Sequence, residues 1–218
     1  MIIHIVAGGP RNQLPDLKKT NNENIIWVGV DRGVHYLLEE NIKPVKAFGD
    51  FDSVTETELS HMRKELKEIE IFPSEKDETD TEIAVNWALS KKPDKIKLFG
   101  VTGGRLDHFF GNVQLLIKGL QQGTLISIHD KQNVLFLVNK SKHSIVRSSV
   151  LPYISFIPIT PNVTALTLEG FKYPLKNRNI QWGDTLCISN ELDNEIGTFS
   201  FKDGILMVIR SRDLSPII

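Results

Sequence analysis

The pattern of hydrophobic and polar positions changes near residue 123. Before it, short apolar runs at 2–7, 25–30, 45–48, 69–72 and 96–99 are separated by polar segments, some of helical period. Segments 81–89 and 106–120 repeat their apolar residues every three or four positions, which predicts two amphipathic helices. Strands that alternate with helices indicate an α/β domain built on a mainly parallel sheet.

After Gly123 the apolar runs are short, β-rich and separated by turn residues. We find no long helical pattern in this half, so we predict an antiparallel β-sandwich that follows the α/β domain, with domains at 1–126 and 127–218. Asp203-Gly204 lies between two apolar runs and predicts a β-hairpin there. The predicted strands of this half are 125–129, 134–138, 144–147, 153–157, 163–168, 185–189, 197–201 and 205–209.

Composition narrows the possible partners. The 218 residues carry a formal net charge of −1, which gives no global attraction to nucleic acid or to an anionic membrane. No apolar run approaches the ~18 residues that a membrane-spanning helix needs. Cys187 is the only cysteine, which excludes an internal disulfide and fits a reducing compartment, so we expect a cytoplasmic protein.

Acidic residues follow three of the predicted parallel strands. Asp50 and Asp52 come after run 45–48, Asp77 and Asp80 after run 69–72, and Gly103-Gly104-Arg105 with Asp107 after run 96–99. Ligands bind at the carboxyl edge of such sheets, where these side chains are expected to meet. Carboxylates gathered there repel one another unless a cation lies among them.

The candidate ligands favour Mg²⁺. All of them are oxygens, while the histidines are scattered and the cysteine is single, so the spacing of a zinc site is absent. The glycines Gly103 and Gly104 allow close approach to a phosphate chain, and Arg105 offers a guanidinium matched to phosphate oxygens. The residues by themselves therefore predict Mg²⁺ and phosphate at the sheet edge.

Each motif also has a purely structural interpretation, which the residues alone leave open. Asp50 and Asp52 are suited to cap a turn, and Asp80 to interact with a helix dipole as a first-turn acid. The two glycines fit an ordinary turn, and Arg105 a surface ion pair. The functional interpretation is favoured because three strand ends are acidic at once.

The motifs resemble those of the thiamine pyrophosphokinase family. The matching stretches are GDFDS (49–53), DETDTE (77–82), GGRLDHFFGN (103–112), GFKYPL (170–175), SNE (189–191) and GILMVIRS (204–211), in the family's order and over nearly the whole chain. Two departures stand out. Arg32 replaces a glycine in the stretch after the second strand, where Asp31 is retained, and Gly111 stands where alanine is frequent.

The resemblance implies transfer of a diphosphate from ATP to the hydroxyl of thiamine, with release of AMP. It implies a homodimer whose sites lie between the α/β domain of one subunit and the β domain of its partner, which binds thiamine. The implied acidic site around Mg²⁺ and the phosphates is Asp50, Asp52, Asp77, Asp80 and Asp107, with the first four as metal ligands. Contacts to the nucleotide are implied for Asp31, Gly103, Gly104, Arg105 and Asn112, and contacts to thiamine for Ser189 and Asn190.

Two other function classes are compatible with part of this pattern. A phosphatase of the haloacid dehalogenase type also begins with an Asp-x-Asp motif, but that motif normally follows the first strand and here follows the third. A nucleotide-binding module without catalysis is the other alternative, and it predicts ATP binding without AMP release. A P-loop kinase is excluded because no Gly-x₄-Gly-Lys-Ser/Thr motif occurs.

Overall fold

A computed structural model of the protein describes residues 1–21, 24–51, 55–66, 69–71 and 77–214. The chain divides into two compact units, Met1–Lys131 and Gln132–Ile218. The sequence-based division after residue 126 falls inside a strand, whereas the observed one follows it. In the described parts of the chain, no helix is long and apolar enough to cross a membrane.

The first unit contains a parallel sheet of six strands. In chain order the strands are β1 (Ile2–Val6), β2 (Ile25–Val30), β3 (Lys46–Gly49), β4 (Ile69–Ile71), β5 (Lys95–Phe99) and β6 (Leu125–His129). Their order across the sheet is β4-β3-β2-β1-β5-β6, and every neighbouring pair is parallel. This confirms the α/β prediction. The sequence-based grouping of 125–129 with the antiparallel half is wrong for β6, which pairs with β5 in parallel. In sequence, the last strand of one unit looks like the first strand of the next.

Helices connect these strands. They are α1 (Arg32–Glu39), α2 (Glu56–Glu65), α3 (Asp80–Ser90) and α4 (Leu106–Gln122). The prediction of α3 and α4 is confirmed, and Thr79 is the N-cap of α3, where its side chain accepts a hydrogen bond from the Glu82 amide. α1 and α2 are not predicted by the sequence pattern. α1 has eight residues and a glycine in its first turn, and α2 is mostly polar, so neither offers a long apolar stripe.

The second unit is a sandwich of antiparallel strands, as predicted. The strands are β7 (Asn133–Asn139), β8 (Lys142–Val146), β9 (Tyr153–Pro158), β10 (Asn162–Glu169), β11 (Leu175–Gln181), β12 (Ile196–Ser200) and β13 (Ile205–Ser211). β13 pairs with β7 and β9, and the other four form a sheet in the order β11-β10-β12-β8. Phe156, Leu166, Phe199 and Leu206 come from both sheets and share one buried core.

Two predictions for this unit are wrong. Segment 185–189 forms turns rather than a strand, although Cys187 within it is buried and its carbonyl accepts a hydrogen bond from the Phe156 amide. Asp203-Gly204 does not close a hairpin, because the strand before it, β12, and the strand after it, β13, belong to different sheets. Apolar alternation indicated buried positions correctly, but it does not specify which strands pair. β11 was missed because it is mostly polar and exposed.

Candidate metal and phosphate site

Asp31 lies directly after the carboxyl end of β2, in a strained backbone conformation. Its φ of 49° and ψ of −126° belong to a region that residues with a Cβ rarely adopt. The conformation is held by two main-chain hydrogen bonds, from the Asp31 amide to the Phe48 carbonyl (2.9 Å) and from the Val34 amide to the Asp31 carbonyl (3.1 Å). The strain places the Asp31 side chain at the edge of the sheet.

Asp50 lies after the end of β3, between two unusual backbone positions. Gly49 has φ +152°, and a Cβ on it would lie 2.1 Å from Asp31 Oδ1, so only glycine allows the Asp31 carboxylate to pass so close. Phe51, on the other side of Asp50, is buried and has φ 57°. These constraints orient Asp50 toward Asp31.

Asp80 completes a group of three carboxylates. It is the first residue of α3, next to the N-cap Thr79. One carboxylate oxygen from each of Asp31, Asp50 and Asp80 lies within 4.8 Å of the other two, and all three residues are partly buried. Such a group suits a hard cation that takes oxygen ligands and leaves open positions for phosphate, as Mg²⁺ does.

The structure thus brings together two of the four ligands assigned from the family resemblance, Asp50 and Asp80, and adds Asp31. Asp52 lies outside the described residues. Asp77 is exposed in the turn before α3 and does not belong to the carboxylate group found in the described part of the chain. The family resemblance implies a nucleotide contact for Asp31, and sequence spacing cannot show that its side chain lies beside Asp50.

A cleft of about 510 Å³ opens beside these carboxylates. Part of it is formed by Gly9 and Gly100, whose main chains are joined by a hydrogen bond from the Gly9 amide to the Gly100 carbonyl (2.8 Å). A Cβ on Gly9 would lie 2.4 Å from that carbonyl oxygen, so the approach requires glycine. Gly8 and Gly9 are not among the predicted site residues, although a Gly-Gly pair shortly after the first strand is a signal for a phosphate-binding turn. The cleft is lined by Asp31, Asp50, Asp80, Gly8, Gly9 and Gly104, among others.

Arg105 lines the same cleft and forms a bidentate ion pair with Asp107. Its Nε and Nη2 lie 3.1 and 2.6 Å from the two Asp107 oxygens, and both side chains are mainly exposed. The hydrogen bonds from Arg105 lower the pKa of Asp107, and the same pairing raises the pKa of Arg105. Arg105 thus forms the surface ion pair that its structural interpretation predicted. This pair fixes the guanidinium at the start of α4.

The remaining predicted residues of this unit have supporting positions. Asn112 is buried on α4, lines the cleft, and donates from Nδ2 to the Val101 carbonyl at 3.5 Å. Gly103 has φ 77° and packs against Gln13, where a Cβ would lie 2.7 Å from Cγ. These residues shape the loop between β5 and α4.

Glu58 is a further residue of interest that the sequence analysis missed. Its Oε2 accepts hydrogen bonds from the Thr55 amide (2.8 Å) and hydroxyl (3.0 Å), which completes a capping box at the start of α2. Its Oε1 lies 3.3 Å from Arg32 Nη2 and 3.5 Å from His35 Nε2 on α1. Glu58 therefore connects the segment after Asp50 with the helix that follows Asp31. The Thr-x-x-Glu spacing at 55–58 was the available signal.

The predicted thiamine residues lie in the second unit and differ from each other. Ser189 is exposed, has φ 57°, and its amide donates to Ser155 Oγ at 2.9 Å. Asn190 is buried, and its side chain serves the main chain. Nδ2 donates to the Tyr173 carbonyl (2.9 Å), and Oδ1 accepts from the amides of Tyr173 (3.1 Å) and Glu191 (2.9 Å). The Asn190 amide group thus fixes the loop that carries Tyr173.

The chain is similar to known proteins over nearly its whole length. Residues 17–128 match the model of the thiamin pyrophosphokinase catalytic domain, and residues 142–206 match the thiamin pyrophosphokinase vitamin B1 binding domain. Thiamine pyrophosphokinase of Bacillus subtilis (strain 168) is 50% identical over 97% of this chain and 99% of its own.

Solved structures extend the likeness to the fold. The crystal structure of the Bacillus subtilis thiamine pyrophosphokinase has a TM-score of 0.94 and covers 98% of this chain and 100% of its own, at 50% identity. That of Geobacillus thermodenitrificans thiamin pyrophosphokinase has a TM-score of 0.91, with 99% of each chain covered, at 50% identity. The Candida albicans enzyme, at 20% identity with 96% and 89% covered, shares the fold with a TM-score of 0.77. The chain belongs to the thiamin pyrophosphokinase family.

Proposed function

We propose that the protein transfers the terminal diphosphate of ATP to the hydroxyl of thiamine and releases AMP and thiamine diphosphate. The observation that carries the proposal is the group Asp31, Asp50 and Asp80 at the carboxyl edge of a parallel sheet, beside a cleft lined by glycines and Arg105. A phosphatase of the haloacid dehalogenase type is not favoured, because its Asp-x-Asp motif normally follows the first strand, whereas Asp50 follows the third strand in chain order.

Asp31, Asp50 and Asp80 are proposed to hold Mg²⁺. Their oxygens are close enough to share one ion, and Gly49 leaves room for the Asp31 carboxylate where any Cβ would clash. When bound, Mg²⁺ would neutralise charge on the phosphate oxygens. Asp52 and Asp77 remain proposed further ligands, on the basis of the family resemblance.

The other residues of the first unit are proposed to bind and orient ATP. The main chain at Gly9 and Gly104 permits close approach of the phosphates, and Arg105 donates to their oxygens. Because Arg105 is paired with Asp107, a phosphate that binds Arg105 competes with that carboxylate. An aspartate that does not hold metal, Asp107 among them, is available to accept the proton of the attacking alcohol.

Thiamine is proposed to contact the exposed Ser189, while Asn190 positions the loop that carries Tyr173. We further propose that the protein is a homodimer, as the family resemblance implies. Light scattering of the purified protein tests that assignment without any assumption about catalysis.

Product analysis with ATP, Mg²⁺ and thiamine tests the reaction. We expect AMP and thiamine diphosphate in equal amounts, separated by chromatography. An ordinary kinase would give ADP and thiamine monophosphate, a phosphatase would release phosphate without thiamine, and a binding module would leave ATP intact. If ATP binds but thiamine elicits no AMP, the proposed function is wrong.

A further inference from the structure

Arg210 occupies an inward-facing position at the end of the sandwich core. Side chains two residues apart on a strand share a face. On β13, Leu206 and Val208 are completely buried in the core of the second unit, and Arg210 follows them on the same face. Its neighbour in register on β9 is Ile154, which is also completely buried. A guanidinium therefore occupies a position at which the alternation along the strand predicts an apolar side chain.

Few hydrogen bonds compensate the partial burial of the Arg210 side chain. Nη2 donates to the Leu151 carbonyl at 3.3 Å, whereas Nε is buried and has no hydrogen-bond partner among the residues that the structure describes. In the same part of the chain, no carboxylate lies within ion-pair distance of Arg210. Burial lowers the pKa of the guanidinium. A cation without a counter-charge is costly in such a place, so the site favours an anion.

A cavity of about 260 Å³ lies in front of Arg210, formed by residues of the second unit. Ser148 Oγ accepts from the amides of Val150 and Leu151, both at 3.2 Å, so its own proton is left to donate. Glu191 also lines the cavity, but its carboxylate pairs with Lys172 at 2.9 Å. The cavity is lined on its apolar side by Pro152, Ile154 and Leu192.

Arg147 adds positive charge to the same cavity. Its guanidinium is held by the carbonyls of Asp193 and Asn194, and its Nε lies 3.7 Å from Glu195, whose side chain is 86% exposed. An exposed carboxylate at this distance screens the guanidinium only weakly. The cavity thus combines two guanidinium groups, a hydroxyl donor and an apolar wall.

We propose that this cavity binds the phosphate or carboxylate group of a small molecule, with Arg210 as the charged donor and Ser148 as a neutral one. The volume is below the range of about 300 to 1,000 Å³ that is typical of sites for drug-sized ligands, so the ligand is a small metabolite or the head group of a larger one. The inference does not rest on the proposed transfer reaction, because it uses neither the carboxylate group of the first unit nor Ser189.

The experiment measures the melting temperature and the calorimetric affinity for inorganic phosphate and, separately, acetate, at an ionic strength held constant with chloride. The wild type is compared with Arg210→Met and with the control Arg178→Met, which removes an exposed arginine of the same unit. We expect Arg210→Met to lower the affinity for the preferred anion by about 10- to 100-fold, and Arg178→Met to leave it unchanged. Phosphate that binds in the first unit contributes equally to all three proteins, so the difference between them reports this cavity.

A second variant keeps the test decisive if Arg210→Met does not fold. Arg210→Lys retains the charge but loses the planar fork, and we expect a several-fold weaker affinity for phosphate. A larger response to phosphate than to acetate identifies a phosphate site, and the reverse identifies a carboxylate site. If neither anion stabilises the wild type beyond chloride, or if the Arg210 variants respond as the wild type does, the inference is overturned.

Discussion

In the first unit, three carboxylates come together at the carboxyl edge of a parallel sheet, whereas in the second unit the predicted thiamine residues Ser189 and Asn190 lie outside the strands. Asp31 and Asp50 directly follow the neighbouring strands β2 and β3, and Asp80 is the first residue of α3, the helix that follows β4. Asn190, by contrast, turns its buried amide toward the main chain of Tyr173. A parallel sheet directs the ends of all its strands to one edge, while an antiparallel sheet sends alternate ends to opposite edges.

The difference also concerns how each unit stabilises its site. In the first unit, like charges lie close together where the backbone is strained at Asp31 and Phe51 and closely packed at Gly49. The second unit satisfies the buried Asn190 with three hydrogen bonds. Substitutions at the carboxylates should therefore affect ligand binding more than stability, and substitution of Asn190 should do the reverse.

The largest expected effect is that of Asp50→Asn. Loss of one carboxylate from the group should lower kcat by about 100-fold or more and abolish stabilisation by Mg²⁺, since the negative charge that attracts the ion is reduced. The melting temperature without Mg²⁺ should stay the same or rise, because repulsion is relieved. Asp16→Asn, at an exposed site of the same unit, is the control. Near-normal turnover with a lower melting temperature would mean that Asp50 only caps a turn.

Acid should destabilise the first unit through His4, which is buried, and His129, which is partly buried. Burial, with a contribution from Lys97, lowers the pKa of His4 to about 4 and that of His129 to about 3, from a usual value of 6.5. Between pH 6.5 and 4 the unfolded chain binds more protons than the folded one, so stability falls as the pH falls. The shift at His4 alone corresponds to about 3 kcal/mol.

Urea unfolding at several pH values measures this effect, and hydrogen exchange locates it. His4→Leu should reduce the dependence of the unfolding free energy on pH between 6.5 and 4, whatever its effect at pH 7. If the variant shows the same pH dependence as the wild type, or if exchange rises first in the second unit, the predicted acid sensitivity of the first unit is wrong.

Asn190→Ala tests the structural role assigned to the second unit. It removes the side-chain partner of main-chain groups of Tyr173 and Glu191, and we expect the free energy of unfolding to fall by about 2 kcal/mol. Ser189→Ala is the matched control at an exposed neighbour, where we expect a change within about 0.5 kcal/mol but a higher KM for thiamine. Unchanged stability of Asn190→Ala, together with loss of thiamine affinity, would show instead that Asn190 contacts the substrate.

The smallest effects are expected at Glu58. Glu58→Ala removes a partner of the Thr55 cap and the contacts to Arg32 and His35, so we expect a loss of about 1 kcal/mol and a several-fold weaker response to Mg²⁺. Glu58→Gln keeps an acceptor for the Thr55 amide and should restore most of the stability but less of the Mg²⁺ response. Equal recovery of both properties would show that the charge of Glu58 does not help to position the carboxylates.

The sequence by itself determined the class of both units and the region of the acidic site. The alternation of strands and helices predicted the parallel sheet, and the apolar stripes predicted α3 and α4, because these patterns are local consequences of strand and helix geometry. Asp50 and Asp80 were predicted because they follow parallel strands, and all carboxyl ends of a parallel sheet lie at one edge.

The tertiary structure decided what depends on contacts between distant segments. Asp31 joins the carboxylate group because its strained backbone and the missing side chain of Gly49 turn it toward Asp50, which no spacing reveals. Asp203-Gly204 connects two sheets rather than two paired strands, since pairing is chosen by the whole sandwich. Segment 185–189 has the composition of a strand but forms turns, in which Cys187 still reaches the core. Local pattern records which side chains are buried, whereas the partners of each main-chain group are selected by packing over the entire unit.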